Sequence, residues 1–260
     1  MKTIVIYLLM VFSLMACHNE QQDPVPVDLR PLRMDDVDGY RELQYDDTGK
    51  ITGLLIVTKF VDGTEKRETQ NFVYDSTGKL IESRTDAGWD MRYTYNDRDQ
   101  LVSTDVYADG SRYQRHVYTY NSKRYLSERI TYEGISDEAL IPVSKEYYAY
   151  DNLGNVTLQL LYAYDASGQA ARITTRFTFS DYDNRTNIEK YFIVTPFNPT
   201  LTLCKNNPGK MVVENATGSI NSVETYTYQY NDHGYVTEKT SHLTLHNGSS
   251  GSYLTRYSFK

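Results

Sequence analysis

Tyr74-Asp75-Ser76-Thr77-Gly78-Lys79-Leu80 is the stretch whose reading decides the fold. A tyrosine closes one strand, Asp-x-x-Gly bends the chain, and an aliphatic residue opens the next strand. The aspartate carboxylate is placed to accept from a backbone N–H two residues on, and the glycine supplies the positive φ of a bulged hairpin turn. The unit recurs at Tyr45-Asp46 with Gly49 and Ile51, at Tyr95-Asn96 to Leu101, and at Tyr120-Asn121 to Leu126. It returns at Tyr150-Asp151 with Gly154 and Val156, at Tyr182-Asp183 to Ile188, and at Tyr230-Asn231 with Gly234 and Val236. The expected structural turn residues are therefore Asp46, Gly49, Asp75, Gly78, Asp151, Gly154, Asn231 and Gly234. Asp99, Arg124 and Thr186 stand where the motif has glycine, and each would need positive φ to make the same turn.

Between these corners lies a second turn class at Asp62-Gly63, Ala87-Gly88, Asp109-Gly110, Glu133-Gly134, Ser167-Gly168 and Asn247-Gly248. Strand, corner, strand, plain turn is an up-and-down antiparallel meander without crossovers. The rhythm breaks between Tyr182 and Tyr230. There Lys205-Asn206-Asn207-Pro208-Gly209-Lys210-Met211 reads as a degenerate eighth corner, with Asn206 and Gly209 as its turn residues and extra strands at 187–194 and 200–205. A long functional loop is the alternative. The expected fold is all-β, a meander of about 16 strands over 38–260 forming a strongly curved open sheet or a porin-like barrel.

Tyrosine supplies 25 of the 260 residues, which suits half-wet pleated strands because the ring buries while the hydroxyl reaches a partner. Alternation places Tyr93 with Tyr95, Tyr118 with Tyr120, Tyr148 with Tyr150 and Tyr228 with Tyr230 on one face. Leu101, Leu126, Val156 and Val236 are their cross-corner partners. Continued strictly, that face also carries Ser103, Glu128 and Glu238, so neither face is apolar throughout. A membrane-spanning barrel needs a continuous outward apolar band, and the charges argue against one.

Residues 1–16 carry Lys2 and an apolar run too short for a comfortable span, and they end in Leu14-Met15-Ala16-Cys17. This resembles a bacterial lipobox, which implies a signal peptide over 1–16, lipidation of Cys17 and a membrane partner through that lipid. A flexible tether is expected over 17–37, where three of the seven prolines fall. The Tyr-Asp-x-x-Gly-x-Leu units resemble the YD repeats of Rhs-type shell proteins. Lipobox, spacer and meander together resemble a Bacteroidetes lipoprotein family of unknown function with a porin-like fold. That resemblance implies an outer-membrane lipoprotein, surface-exposed or periplasmic, and brings no activity.

The net charge of −7, with no basic run, speaks against nucleic acid as a partner. Apart from Cys17, the only cysteine is Cys204, read as a small buried apolar residue. His242 and His246 would lie ~13 Å apart on a strand, too far to share a metal. No catalytic residue, metal site or cofactor is expected, and phosphate-loop and hydrolase motifs are missing. The candidate ligand-binding residues are aromatic: Trp89, Tyr107, Tyr113 and Phe197, near plain turns or in the irregular segment. At one rim they would stack on sugar rings or anchor a protein partner, with Trp89 as a core plug the alternative. The sequence thus reads as a lipid-anchored envelope protein, a non-enzymatic structural or glycan-binding module. A hydrolase using cross-strand carboxylates and a shell or pore are the competing readings.

Overall fold

The computed structural model describes residues 29–134, 140–169, 171–192 and 203–260. They form sixteen antiparallel strands: β1 (Pro31–Asp36), β2 (Gly39–Tyr45), β3 (Ile51–Lys59), β4 (Glu65–Tyr74), β5 (Leu80–Thr85), β6 (Trp89–Tyr95), β7 (Leu101–Ala108) and β8 (Ser111–Tyr120). The remainder are β9 (Leu126–Glu133), β10 (Ile141–Tyr150), β11 (Val156–Tyr164), β12 (Ala171–Ser180), β13 (Lys210–Asn215), β14 (Ile220–Tyr230), β15 (Val236–Leu245) and β16 (Ser250–Phe259). Each strand pairs with its sequence neighbours, and β1 pairs with β16, so the meander closes into a barrel. Closure settles the choice between open sheet and barrel. It leaves no edge strand to template aggregation.

The Tyr-Asp corners share one rim. At Asp75 the carboxylate accepts from the Thr77 N–H at 2.8 Å, the Thr77 hydroxyl at 2.7 Å and the Lys79 N–H at 3.0 Å. Asp46 repeats this set with Thr48 and Lys50. Asp99 and Arg124 adopt φ of 60° and 67° and close the same turn as glycine does elsewhere. Each corner is followed by a bulge: Tyr74 pairs with Leu80 but Val73 pairs with Glu82, so Leu80 and Ile81 together oppose one tyrosine. The extra residue reverses the alternation of the outgoing strand. Ser103, Glu128 and Glu238 consequently pair with Thr94, Thr119 and Gln229 and share the outer face, not the tyrosine face. Tyr–aliphatic pairs occur where expected, Tyr95 with Leu101 and Tyr120 with Leu126 among them.

The core is the inner floor at the corner rim. Leu43, Leu54, Leu80, Leu101, Leu126, Val156 and Val236 are each buried there, with Tyr93, Tyr118, Tyr148 and Tyr257 above them. Outside, Glu82, Arg92, Asp105 and Arg115 stand in one row across β5–β8, linked by ion pairs of 3.2–3.7 Å that include Arg112. Partly exposed pairs of this kind contribute little to stability, but they mark a watered surface.

Three expectations change. Pro31–Asp36, read as part of the tether over 17–37, is strand β1, because its backbone completes the ladder between β2 and β16. Residues 17–28, with Cys17 and the signal segment, lie outside the described residues. No strand covers 187–192; Glu189–Phe192 is a turn of 3₁₀ helix with Tyr191 and Phe192 buried, and residues 203–205 are not strand. Nor do Asn206 and Gly209 form an eighth corner. Asn206 bridges Thr186, while Asn207 supplies what a fifth corner residue supplies elsewhere. The Asp183 N–H donates to the Asn207 carbonyl at 3.0 Å, and Asp183 accepts the Asn207 N–H at 3.0 Å and its side-chain amide at 3.0 Å. The corner after β12 is thus split by an insert, and its two halves are clasped by one aspartate. Thr186 needs no positive φ because the turn is completed by Asn207, 24 residues after Asp183.

Candidate functional site

The inner wall is built from the repeat. The corner tyrosines point inward, and in five of the seven the hydroxyl donates to the first carbonyl of the preceding unit: Tyr74 to Ile51 at 2.6 Å, Tyr95 to Leu80 at 2.8 Å, Tyr120 to Leu101 at 2.8 Å. Tyr45 does the same to Pro31 and Tyr182 to Val156. Burial pushes these phenols up, to about 12 for Tyr74, so they remain protonated donors. Two depart from the rule: Tyr230 donates to the Asp183 carboxylate, and the buried Tyr150 hydroxyl has no partner among the described residues. Tyr150 packs instead against Tyr125, ring centroids 5.0 Å apart.

Above this floor the same face turns polar while staying buried. Gln70 donates to Ser83 at 3.0 Å, and Ser83 meets the Tyr93 hydroxyl at 3.1 Å. Thr104 meets Tyr118 at 3.2 Å, and His116 Nδ1 meets Thr131 at 3.1 Å. Glu146 is the centre of the next group: one oxygen accepts from Arg129, the other from the Tyr148 hydroxyl and from Gln159 at 3.1 Å. Both oxygens are therefore committed to holding β9, β10 and β11 in register. Burial, reinforced by the Arg129 charge, pushes His116 down to about 3, so its imidazole is neutral at physiological pH. His116 Nε2, Gln70 Oε1 and Arg129 Nε are buried without a protein partner among the described residues. They are among the buried hydrogen-bonding groups with capacity left over, as are Arg41 Nε and Ser241 Oγ.

On the opposite wall the insert presses its 3₁₀ turn against the barrel. Glu189 accepts from Lys239 and from Tyr257 at 2.6 Å, and Phe192 lies 6.3 Å from the Tyr257 ring. Burial opposes ionisation of Glu189, but the Lys239 ammonium and the two hydrogen bonds outweigh it and hold the carboxyl below its usual range. With 37% of its side-chain surface still accessible, Glu189 faces open space inside the wall, and screening weakens the pair. Burial raises the Cys204 thiol, which lies 3.3 Å from the Tyr182 hydroxyl, and so favours its protonated form.

Of the expected aromatic residues, Trp89 and Tyr113 meet edge to face at 5.5 Å and are both exposed at the plain-turn rim. Trp89 shares the inner face of β6 with Met91 and Tyr93 by alternation. It is therefore a rim residue rather than a buried plug. Tyr107 pairs with Asp90, faces the other way and lies 4.3 Å from the Arg92 guanidinium. Phe197 lies outside the described residues. His242 bonds Ser252 at 2.9 Å, and no metal-binding group of three acidic, His or Cys side chains occurs among the described residues. The polar shelf is the part that sequence reasoning missed. Its signal was present two residues before three of the aromatic pairs, Gln70-x-Phe72-x-Tyr74, His116-x-Tyr118-x-Tyr120 and Glu146-x-Tyr148-x-Tyr150, but not before Tyr93 and Tyr95, where Met91 stands.

Comparison with known proteins supports the fold. A porin-like protein from Bacteroides uniformis superposes with a TM-score of 0.63 at 14% identity, over 89% of this chain and 96% of that one. A porin-like protein from Bacteroides vulgatus gives 0.51 at 15% identity, over 90% of this chain and 99% of that one. No family profile and no curated protein matches the chain.

Proposed function

We propose that the chain is a non-enzymatic cell-envelope protein, tethered through lipid on Cys17, whose barrel mouth binds a glycan. The observation that carries this reading is the exposed Trp89–Tyr113 pair at the mouth, standing above a wall of hydrogen-bonding side chains on the same strands. An edge-to-face pair offers one indole face to a sugar ring, and the polar shelf suits hydroxyl groups. Envelope placement draws support from the porin-like neighbours of Bacteroides and from the Leu14-Met15-Ala16-Cys17 signal. The charged outer wall favours a barrel standing in water and anchored by lipid over one spanning a bilayer. Glu146, fully engaged with Arg129, Tyr148 and Gln159, serves as a brace and lends no support to a hydrolase. A glycan array probed with the wild-type chain and with Trp89→Ala tests the proposal. Binding to a defined glycan class that falls at least about tenfold in the variant supports it; an empty array, or binding indifferent to Trp89, removes it.

A further inference from the structure

The hairpin from β1 to β2 carries an inner-face trio that the repeat does not call for. Asp36 pairs with Gly39, and Arg41, two residues on, pairs with the core residue Met34. Acid, glycine and base therefore stand side by side on the inward face. Across from them on β3, Thr58 pairs with Gly39 and Ile56 with Arg41. Gly39 leaves the space between the two charges empty. Its φ of 141°, and the Val57 carbonyl 1.8 Å from where a Cβ would stand, exclude a side chain there. The result is a cavity of about 200 Å³, lined by these residues together with Asp38, Tyr40 and Val57. Diagonal strand neighbours such as Asp36 and Arg41 lie ~7–8 Å apart, and no ion pair joins these two across the gap.

The charges around the cavity narrow what it holds. Lys66, beside Thr58, pairs with Glu68 at 3.4 Å, and Arg67, beside Val57, with Glu65 at 3.3 Å. Arg33 is held by Asp35 and Glu42 and stacks on Tyr40. Lys239 is taken by Glu189 of the 3₁₀ turn, while Lys59 and Asp38 are exposed to water. Arg41 differs from all of these. It makes no hydrogen bond or ion pair with a described residue, and its Nε is buried. Its charge is felt at Glu189, but that carboxylate is already engaged by Lys239 and Tyr257. Asp36 accepts the Val37 N–H at 2.8 Å on one oxygen, and the other oxygen has no partner among the described residues. The Asp36 charge is felt at Tyr253 and Tyr257 of β16, so it too faces the interior. A half-buried guanidinium and carboxylate held apart in this way each lack a counter-charge. A singly charged ligand would satisfy one and strand the other, and a neutral sugar would neutralise neither. A molecule with an anionic and a cationic end, two or three bonds apart, satisfies both.

We propose that this cavity binds a small zwitterion of the α-amino-acid type, its carboxylate on Arg41 and its ammonium on Asp36, bridging the space over Gly39. Thr58 adds a hydroxyl, and Ile56 gives an apolar wall to a short side chain. The volume lies below the roughly 300–1,000 Å³ of pockets for drug-sized ligands, which suits a molecule of this size. The cavity is on β1–β3, four strands round the barrel from Trp89 on β6, and does not rest on the glycan reading. The experiment titrates the full chain by calorimetry with glycine, alanine, serine and valine in both hands, alongside acetate, methylamine and glucose. The expected result is saturable binding of at least one amino acid. Acetylating its amine or amidating its carboxylate should weaken binding at least about tenfold, because each removes one charge-assisted contact. Arg41→Met and Asp36→Asn should each weaken it by a similar factor with unchanged circular dichroism. The blocked ligands probe the same two contacts on the unaltered chain, so the test stands even where a variant fails to fold. No binding across the amino acids, or blocked forms that bind as well as the free one, would overturn the proposal. So would acetate, methylamine or glucose binding as tightly as the amino acid, or folded variants that bind like the wild type.

Discussion

The corner rim and the plain-turn rim are made by the same sixteen strands, yet they solve different problems. At the corner rim the chemistry repeats: an Asp or Asn caps the turns, a residue at positive φ closes most of them, and at five corners a tyrosine hydroxyl ties the unit to the one before. Leu80 and Leu101 beneath these ties are each 1% exposed, so that end is a packed floor. At the other rim the turns vary, no tyrosine tie recurs, and large hydrophobics face water. Repetition marks the end where stability is made. Variation marks the end where the proposed ligand contacts lie.

The contrast breaks most readily at the floor. Leu80→Ala should destabilise the barrel by about 2–5 kcal/mol in urea unfolding, because a buried leucine leaves a cavity, whereas Val61→Ala at the other rim should stay within about 0.5 kcal/mol. Equal losses at both sites would erase the distinction.

Between the rims, His116 provides a pH test. Its folded pKa is lowered, by burial and then by Arg129, to about 3, against an ordinary value near 6.5. The unfolded chain therefore takes up a proton first as pH falls, so stability is lost as pH drops below about 6.5 and continues to be lost toward about 3, at up to about 1.4 kcal/mol per pH unit. His116→Gln should flatten that part of the stability profile; an unchanged slope would show that His116 is not buried neutral.

The smallest effect sharpens the corner grammar itself. Asp99 occupies a glycine position at φ 60° and forms an exposed 2.5 Å ion pair with Lys79. Asp99→Gly relieves the backbone and loses only a screened pair, so the variant should gain stability by up to about 1 kcal/mol in thermal unfolding. A clear loss would mean that the Lys79 contact matters more than the turn.

The corners were legible because they are local. Asp75 and Gly78 specify their turn through atoms within five residues, and the Tyr95–Leu101 pairing follows from the turn. The inner shelf was half legible. Its period-two signal is visible in Glu146-x-Tyr148-x-Tyr150 and absent from Met91-x-Tyr93-x-Tyr95, and the bulge after each corner reverses the alternation of the outgoing strand. Strict counting therefore put Glu128 on the wrong face. The split corner was hidden because Asp183 reaches Asn207 across an insert, and the sequence shows only an interrupted rhythm.

By itself the sequence determined the strand-and-corner grammar, the antiparallel order and the tyrosine face, since each rests on turn chemistry and alternation between near neighbours. Tertiary structure alone decided the rest. Closure required Met34 of β1 to find Tyr257 of β16, and only the accumulated twist and stagger of all sixteen strands brings those ends together. The same closure turned one face into an interior, where Arg129 and Glu146 are stable only as partners, and brought exposed hydrophobics such as Phe60, Val61 and Leu245 to one rim.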